Sequence, residues 1–184
     1  MENSSGERGA ATVARFARRL VRELVSTVVP ALLIALFINV YVARAAMVED
    51  GPSMQPNLYI GYRVMTEKIS YRFHEPQRGD VVVVNRAEEG IQLIKRVVGV
   101  AGDEIAVRGG HVWVDGQPLK EPWVSYYGGR DYPPTVIPEG HIFILGDNRA
   151  NSRDSRAIGP VSVNDIEGHA IFVYWPPEAV RLIP

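Results

Sequence analysis

IQLIKRVVGVAGDEIAVRGGHVWVDG, residues 91–116, decides the fold class. Three apolar runs, 91–101, 104–108 and 111–114, are too short and too rich in Val and Ile for globular helices and read as strands. Between and after them stand Gly109-Gly110 and Asp115-Gly116, pairs that accept the positive φ of tight hairpin turns. The same pattern extends outward: residues 64–69, 80–84, 141–145 and 169–175 are further strands, while 118–138, rich in Pro, Gly and Tyr, reads as a surface excursion. No internal repeat and no globular helix is expected beyond Met47. The expected fold is an all-β domain.

Upstream the character of the chain changes. Residues 1–12 are small and polar and read as a flexible tail, and Arg8, Arg15, Arg18, Arg19 and Arg22 precede a charge-free run, residues 24–43. About 20 residues at 1.5 Å rise each match the roughly 30 Å hydrocarbon core of a bilayer. The run tolerates Pro30 and Asn39 as a membrane helix does. The expected organisation is a cytoplasmic basic tail (1–23), a transmembrane anchor (24–43) and an extracytoplasmic β domain (46–184), with the N-terminus cytoplasmic by the positive-inside rule. The competing reading is a cleavable secretory signal ending at Ala43-Arg44-Ala45, but its apolar stretch is longer than a signal's.

Composition excludes several function classes. The 184 residues are 46% hydrophobic and 22% charged with a formal net charge of -1, which gives no electrostatic case for nucleic acid. The absence of cysteine removes disulfides, thiolate nucleophiles and Cys metal sites. His74, His111, His141 and His169 lack metal-ligand spacing, so neither a metal nor a cofactor is assigned.

Three segments carry chemistry. The chain has three lysines against seventeen arginines, and one of them, Lys95, lies inside a strand, alternating onto the face of Ile91, Leu93 and Val97. Burial there disfavours the ammonium and lowers its pKa from about 10.4 toward neutrality, where the amine accepts a proton. The alternative is an edge-strand lysine with its stem on apolar surface and its head in water. In Gly51-Pro52-Ser53-Met54-Gln55-Pro56, Gly and Pro hold a serine in a rigid turn, suited to presenting a hydroxyl but equally to a plain turn. The polar run from Gly146 to Arg156 follows an apolar strand and reads either as a network of Asp/Arg pairs or as a solvated loop.

Together, and in this order, these segments closely resemble those of the compact bacterial type I signal peptidases, over roughly residues 47–175. The Gly-x-Ser-Met-x-Pro motif implies Ser53 as nucleophile. Arg78-Gly79-Asp80-Val81-Val82 and Ile94-Lys95-Arg96-Val97-Val98-Gly99 with Gly102-Asp103 imply Lys95 as general base. The Gly-Asp-Asn-Arg-x-x-Ser-x-Asp-Ser-Arg signature implies that Ser152 orients the amine, that Asp147 pairs with Arg96, and that Asp154 pairs with Arg156. Two features depart from many members: Gly51 replaces a serine whose hydroxyl serves the oxyanion, and the large inserted subdomain between Val100 and Gly140 is missing.

The resemblance implies a signal peptidase/LexA-like β fold. It also implies an endopeptidase that removes signal peptides from exported preproteins after small-x-small sites, at the outer face of the plasma membrane. Expected partners are preproteins, membrane lipid and the nearby translocon. The substrate binds as an added strand over shallow apolar pockets, for which Met54, Leu58 and Ile94 are the expected lining. A self-cleaving repressor and an inactive anchored binding module are the other readings; the apolar run disfavours the first, and the presence of both Ser53 and Lys95 the second.

Overall fold

A computed structural model describes residues 4–37, 43–49, 51–86 and 90–184. It divides into two compact units, Met1–Tyr41 and Val42–Pro184.

The first unit is helix α1, Ser4–Phe37. It begins inside the segment read as a flexible tail, where Ala10, Ala11 and the following arginines are good helix formers. Arg19 and Glu23 form an exposed i,i+4 pair at 3.2 Å. Beyond them Leu24, Val25, Leu32, Leu33, Ile34 and Leu36 are all exposed. Among the described residues, however, no helix is long and apolar enough to cross a membrane. The charge-free part of α1, Leu24 to Phe37, is roughly 21 Å long at 1.5 Å per residue, short of a bilayer core. Residues 38–42 of the expected anchor lie outside the described residues. Its last residue, Ala43, is not helical but opens a strand. The expected transmembrane helix is therefore not shown.

The second unit is β-rich, as the residue pattern predicts. Its elements are β1 (Ala43–Met47), β2 (Arg63–Glu67), β3 (Val81–Arg86), β4 (Ile91–Gly99), β5 (Glu104–Arg108), β6 (His111–Val114), β7 (Gln117–Pro118), β8 (Tyr132–Val136), β9 (His141–Leu145), a short helix α2 (Ser155–Ile158), β10 (Val161–Ser162), β11 (Ile166–Trp175) and β12 (Arg181–Leu182). One sheet has the order β1-β2-β11-β3-β4-β9-β10, with β12 on β11, and the other the order β7-β6-β5-β8. The named strand pairs are antiparallel. Gly109, Gly110, Asp115 and Gly116 all have positive φ, as their hairpins require. The excursion 118–138 is not wholly irregular, because Tyr132–Val136 pairs with β5.

Both faces of the large sheet are covered. Along β3, Val81 and Val83 enter one apolar cluster with Met54, Leu58 and Val173, while Val82 and Val84 enter another with Val97 and Ile144. Each such fully buried side chain contributes roughly 1.5–3 kcal/mol. A third cluster joins the sheets, packing Val98, Phe143 and Leu145 against Ile105, Val107 and Val112. This double coverage makes the centre of β4 dry, and Lys95 stands there.

Candidate active site

Ser53 lies in the loop between β1 and β2. Paired bonds close that loop at its base, from Val48 N–H to the Tyr62 carbonyl and from Gly61 N–H to the Val48 carbonyl, each 2.9 Å. Gly51 takes φ +60°, a conformation an L side chain rarely adopts. Met54 and Leu58, 1% and 0% exposed, pin the turn to the core, so the backbone around Ser53 has little freedom. The Ser53 carbonyl accepts a 2.9 Å bond from Asn148 N–H, which ties the loop to the segment after β9.

Lys95 sits opposite Val82 in the β3–β4 register and has 0% relative exposure. Its Nζ donates to Ser53 Oγ at 3.0 Å and to the Ile94 carbonyl at 3.0 Å. The two side chains, 42 residues apart in sequence, thus meet in a buried setting. A primary amine in such a place can accept the serine proton when it is neutral.

The neighbouring charges are buried but matched. Arg96 grips Asp147 through Nε at 2.9 Å and Nη2 at 2.8 Å, while its guanidinium lies 4.6 Å from the Trp123 ring centre. Asn57 Nδ2 donates to the same carboxylate at 2.7 Å, linking the nucleophile loop to the pair. Asp154 accepts from Arg156 Nε and Nη2 at 2.8 Å each, and it also accepts Gly146 N–H at 3.1 Å. The polar run is therefore a network and not a solvated loop. Both carboxylate pairs implied by the resemblance are formed.

The network contains a third pair that the sequence did not disclose. Arg149, 0% exposed, donates to Glu121 Oε2 at 2.9 Å and pairs through Nη2 with Oε1. It also holds the Gly146 carbonyl at 3.0 Å and the Gly110 carbonyl at 2.7 Å. Glu121 falls in the stretch read as a surface excursion, where nothing local marks a buried acid.

Two of the expected site residues, Ser152 and Leu58, are packed into the interior. Ser152 Oγ, which the resemblance assigns to orienting the amine, is buried and has no hydrogen-bond partner among the described residues. It packs instead at Gly146: a Cβ placed there would stand 2.3 Å from Ser152 Oγ and 2.4 Å from the Ser53 carbonyl oxygen. Leu58, 0% exposed, packs in the core cluster beside Met54 and Val173.

A cleft of about 320 Å³ opens at Ser53. Met54 and Ile94 line it as expected, joined by Met47, Val48 and Leu93, with Glu49, Gln92 and Arg153 adding polar walls. Alternation along β4 could have found Leu93, but Met47, Val48 and Arg153 arrive only through the fold. Among the described residues no cluster of His, Cys, Asp and Glu could hold a metal ion. The resolved ionisation shifts lie elsewhere. Burial pushes the Tyr71 phenol up, aided by Asp80, and the hydrogen-bonded Asp103 carboxylate raises the Arg78 guanidinium.

The profile of the family "Signal peptidase, peptidase S26" matches residues 21–175. A probable signal peptidase I-1 of Synechocystis sp. is 38% identical over 151 residues, which span 78% of this chain and 76% of that protein. The signal peptidase I of Bacillus licheniformis is 30% identical over 159 residues, 80% of this chain and 85% of its own length. A crystal structure of a signal peptidase I from Enterococcus faecalis V583 aligns over 52% of this chain and 97% of that one, with 29% identity and a TM-score of 0.46. By the extent of the family match and the identity to these relatives, the chain is a peptidase of family S26, and it belongs to the signal peptidases.

Proposed function

We propose that the chain is a serine/lysine endopeptidase that removes signal peptides from exported preproteins after small-x-small sites, at the outer face of the plasma membrane. The observation that carries this reading is the 3.0 Å contact of Lys95 Nζ with Ser53 Oγ at a fully buried lysine. Desolvation disfavours the ammonium, so the amine serves as base. It takes the proton of Ser53 Oγ, the oxygen attacks the scissile carbonyl carbon, and the amine returns the proton to the departing amine. An acyl-enzyme remains. Water activated by the same amine then cleaves the ester and restores the serine. Arg96–Asp147 and Asp154–Arg156 keep β4 and the segment after β9 in register with the nucleophile loop, and the apolar walls of Met54 and Ile94 take the small residues before the cut.

A membrane anchor beginning at Leu24 and ending before the strand that opens at Ala43, with the N-terminus cytoplasmic and the β unit outside, belongs to this proposal. It draws support from the arginines ahead of the run and from the exposed Leu and Val residues of α1. The deciding experiment is cleavage of a synthetic preprotein by the full chain in detergent–lipid micelles. Wild type releases the signal peptide and Ser53→Ala does not. Activity rises with pH through an apparent pKa well below that of free lysine, because only the neutral amine works. Equal cleavage by Ser53→Ala, or a rate flat with pH, refutes the proposal.

A further inference from the structure

Beside the Ser53 cleft lies a second cavity, of about 280 Å³, with different chemistry. The two adjoin, sharing Met47, Glu49 and Gln92 as walls. Where the first is closed by Met54, Leu93 and Ile94, the second is closed by Arg44, Thr66 and Glu167. The second cavity lacks the apolar side chains of Met54, Leu93 and Ile94 and has Arg44 and Glu167 in their place.

The strand edges bordering this path are open among the described residues. β1 pairs with β2 alone, and β4 pairs with β9 only from Arg96 onward, which leaves its first residues bonded to β3 alone. A peptide lying along β1 advances about 3.3 Å per residue, so the distance from Met47 at the Ser53 cleft to Arg44 corresponds to about three residues of substrate.

The cavity already holds a cation. Glu167 accepts from Asn85 Nδ2 at 2.9 Å and Gln92 Nε2 at 2.6 Å, and it faces Arg44 Nη1 at 3.8 Å. That ion pair is long, and the Arg44 side chain is 55% exposed, so the guanidinium can swing out at little cost. Glu49 and Glu167 together outweigh Arg44, which leaves the cavity net negative. The Arg44 guanidinium thus stands in for a ligand's positive group.

We infer that this cavity is an extended substrate subsite, selective for a basic side chain, Lys or Arg, four to six residues before the scissile bond. The inference rests on the endopeptidase reading above, which seats the small residues at positions one and three in the apolar cleft. Three residues further along the strand edge, the segment between cleavage site and hydrophobic core of a signal peptide meets Glu167, with Glu49 standing where the two cavities adjoin.

The test uses the full chain in detergent–lipid micelles and peptides with Ala at the first and third positions before the cut and Lys, Gln or Glu at the fourth, fifth or sixth. At one of these positions kcat/KM follows Lys over Gln over Glu, with Lys ahead of Gln by about threefold, the size expected of a partly exposed ion pair. Glu49→Gln and Glu167→Gln each bring the Lys-to-Gln ratio toward one, and Arg44→Gln raises it by removing the internal competitor. The ratio is read within each enzyme, so a general loss of activity cancels. Equal cleavage of all three peptides at every position, or a ratio unchanged in both Glu variants, overturns the subsite and leaves the endopeptidase standing. Failure of wild type to cut any peptide overturns the endopeptidase, and the subsite with it.

Discussion

Helix α1 and the β unit invert each other's solvation. In α1, Leu24, Leu32, Leu33 and Ile34 are 57%, 62%, 60% and 60% exposed, whereas in the β unit Lys95, Arg96, Asp147, Arg149 and Asp154 are each 0% exposed. The difference teaches that a solvent mismatch is resolved by different means. Apolar side chains need only bulk, and a lipid phase can supply it without any specific partner. Buried charges need directed partners, and the protein provides them: two carboxylates for two arginines around the site, a third pair at Glu121, and a hydroxyl for Lys95.

The strongest way to break this comparison is to show that the buried lysine is merely structural. Lys95→Arg keeps charge and stem but cannot accept a proton at usable pH. Its kcat is expected to fall by about 10³-fold or more, as for Lys95→Ala, and Ser53→Ala/Lys95→Ala to be scarcely worse than either single variant because the two groups act as a unit. Single-turnover cleavage with a circular dichroism check of folding decides it; wild-type turnover by Lys95→Arg removes the base.

Next in size is the membrane contact proposed for α1. An arginine at the centre of a membrane helix costs about 2.5–3.5 kcal/mol, so Leu32→Arg/Leu33→Arg should lower the vesicle-bound fraction in flotation by well over tenfold while the β unit keeps its unfolding midpoint. Flotation equal to wild type shows that the exposed face of α1 serves something other than lipid.

The buried pairs predict a third, smaller effect, and α1 provides its internal control. Asp147→Ala strands the Arg96 guanidinium, 1% exposed in its side chain, and is expected to cost about 3–5 kcal/mol in urea unfolding. Glu23→Ala breaks a pair whose side chains are 80% and 68% exposed, and should change helicity almost imperceptibly. Comparable losses from the two would erase the contrast between the units.

The smallest effect comes from Glu67. Burial alone would raise its carboxyl, but bonds from the Ser70 side chain and from the Ser70 and Ile69 N–H groups, with His169 nearby, hold it below the ordinary value of 4.5. A carboxylate depressed in the folded state contributes stability above its unfolded pKa and loses it as pH falls through the lower folded value. Wild type and Glu67→Gln should therefore differ in urea midpoint at pH 6 and converge toward pH 3. A constant difference across that range excludes ionisation as the cause.

Local signals carried far in this chain. The strands around residues 91–116 were legible because alternation and turn chemistry act over a few residues, and β5, β6 and β9 match the expected bounds. The strand β1 was not legible. Ala43-Arg44-Ala45-Ala46-Met47 is a helix-prone sequence, and it becomes a strand because β2 offers it a ladder from Glu67 to Arg63.

At the site, the residue types in the Ser53, Lys95 and Gly146–Arg156 segments were enough to mark them, since a strand lysine and a dense acid–arginine run are unusual locally. Their distances, the partnership of Glu121 with Arg149, the inward turn of Leu58 and the packing of Ser152 against Gly146 were decided only by the tertiary structure. Sequence records which groups a chain has and how they alternate, and this determined the β class, the apolar run and the candidate nucleophile and base. Contacts between residues far apart depend on how sheets curl and pack. Only the folded chain decides which charge meets which partner and which wall faces the cleft.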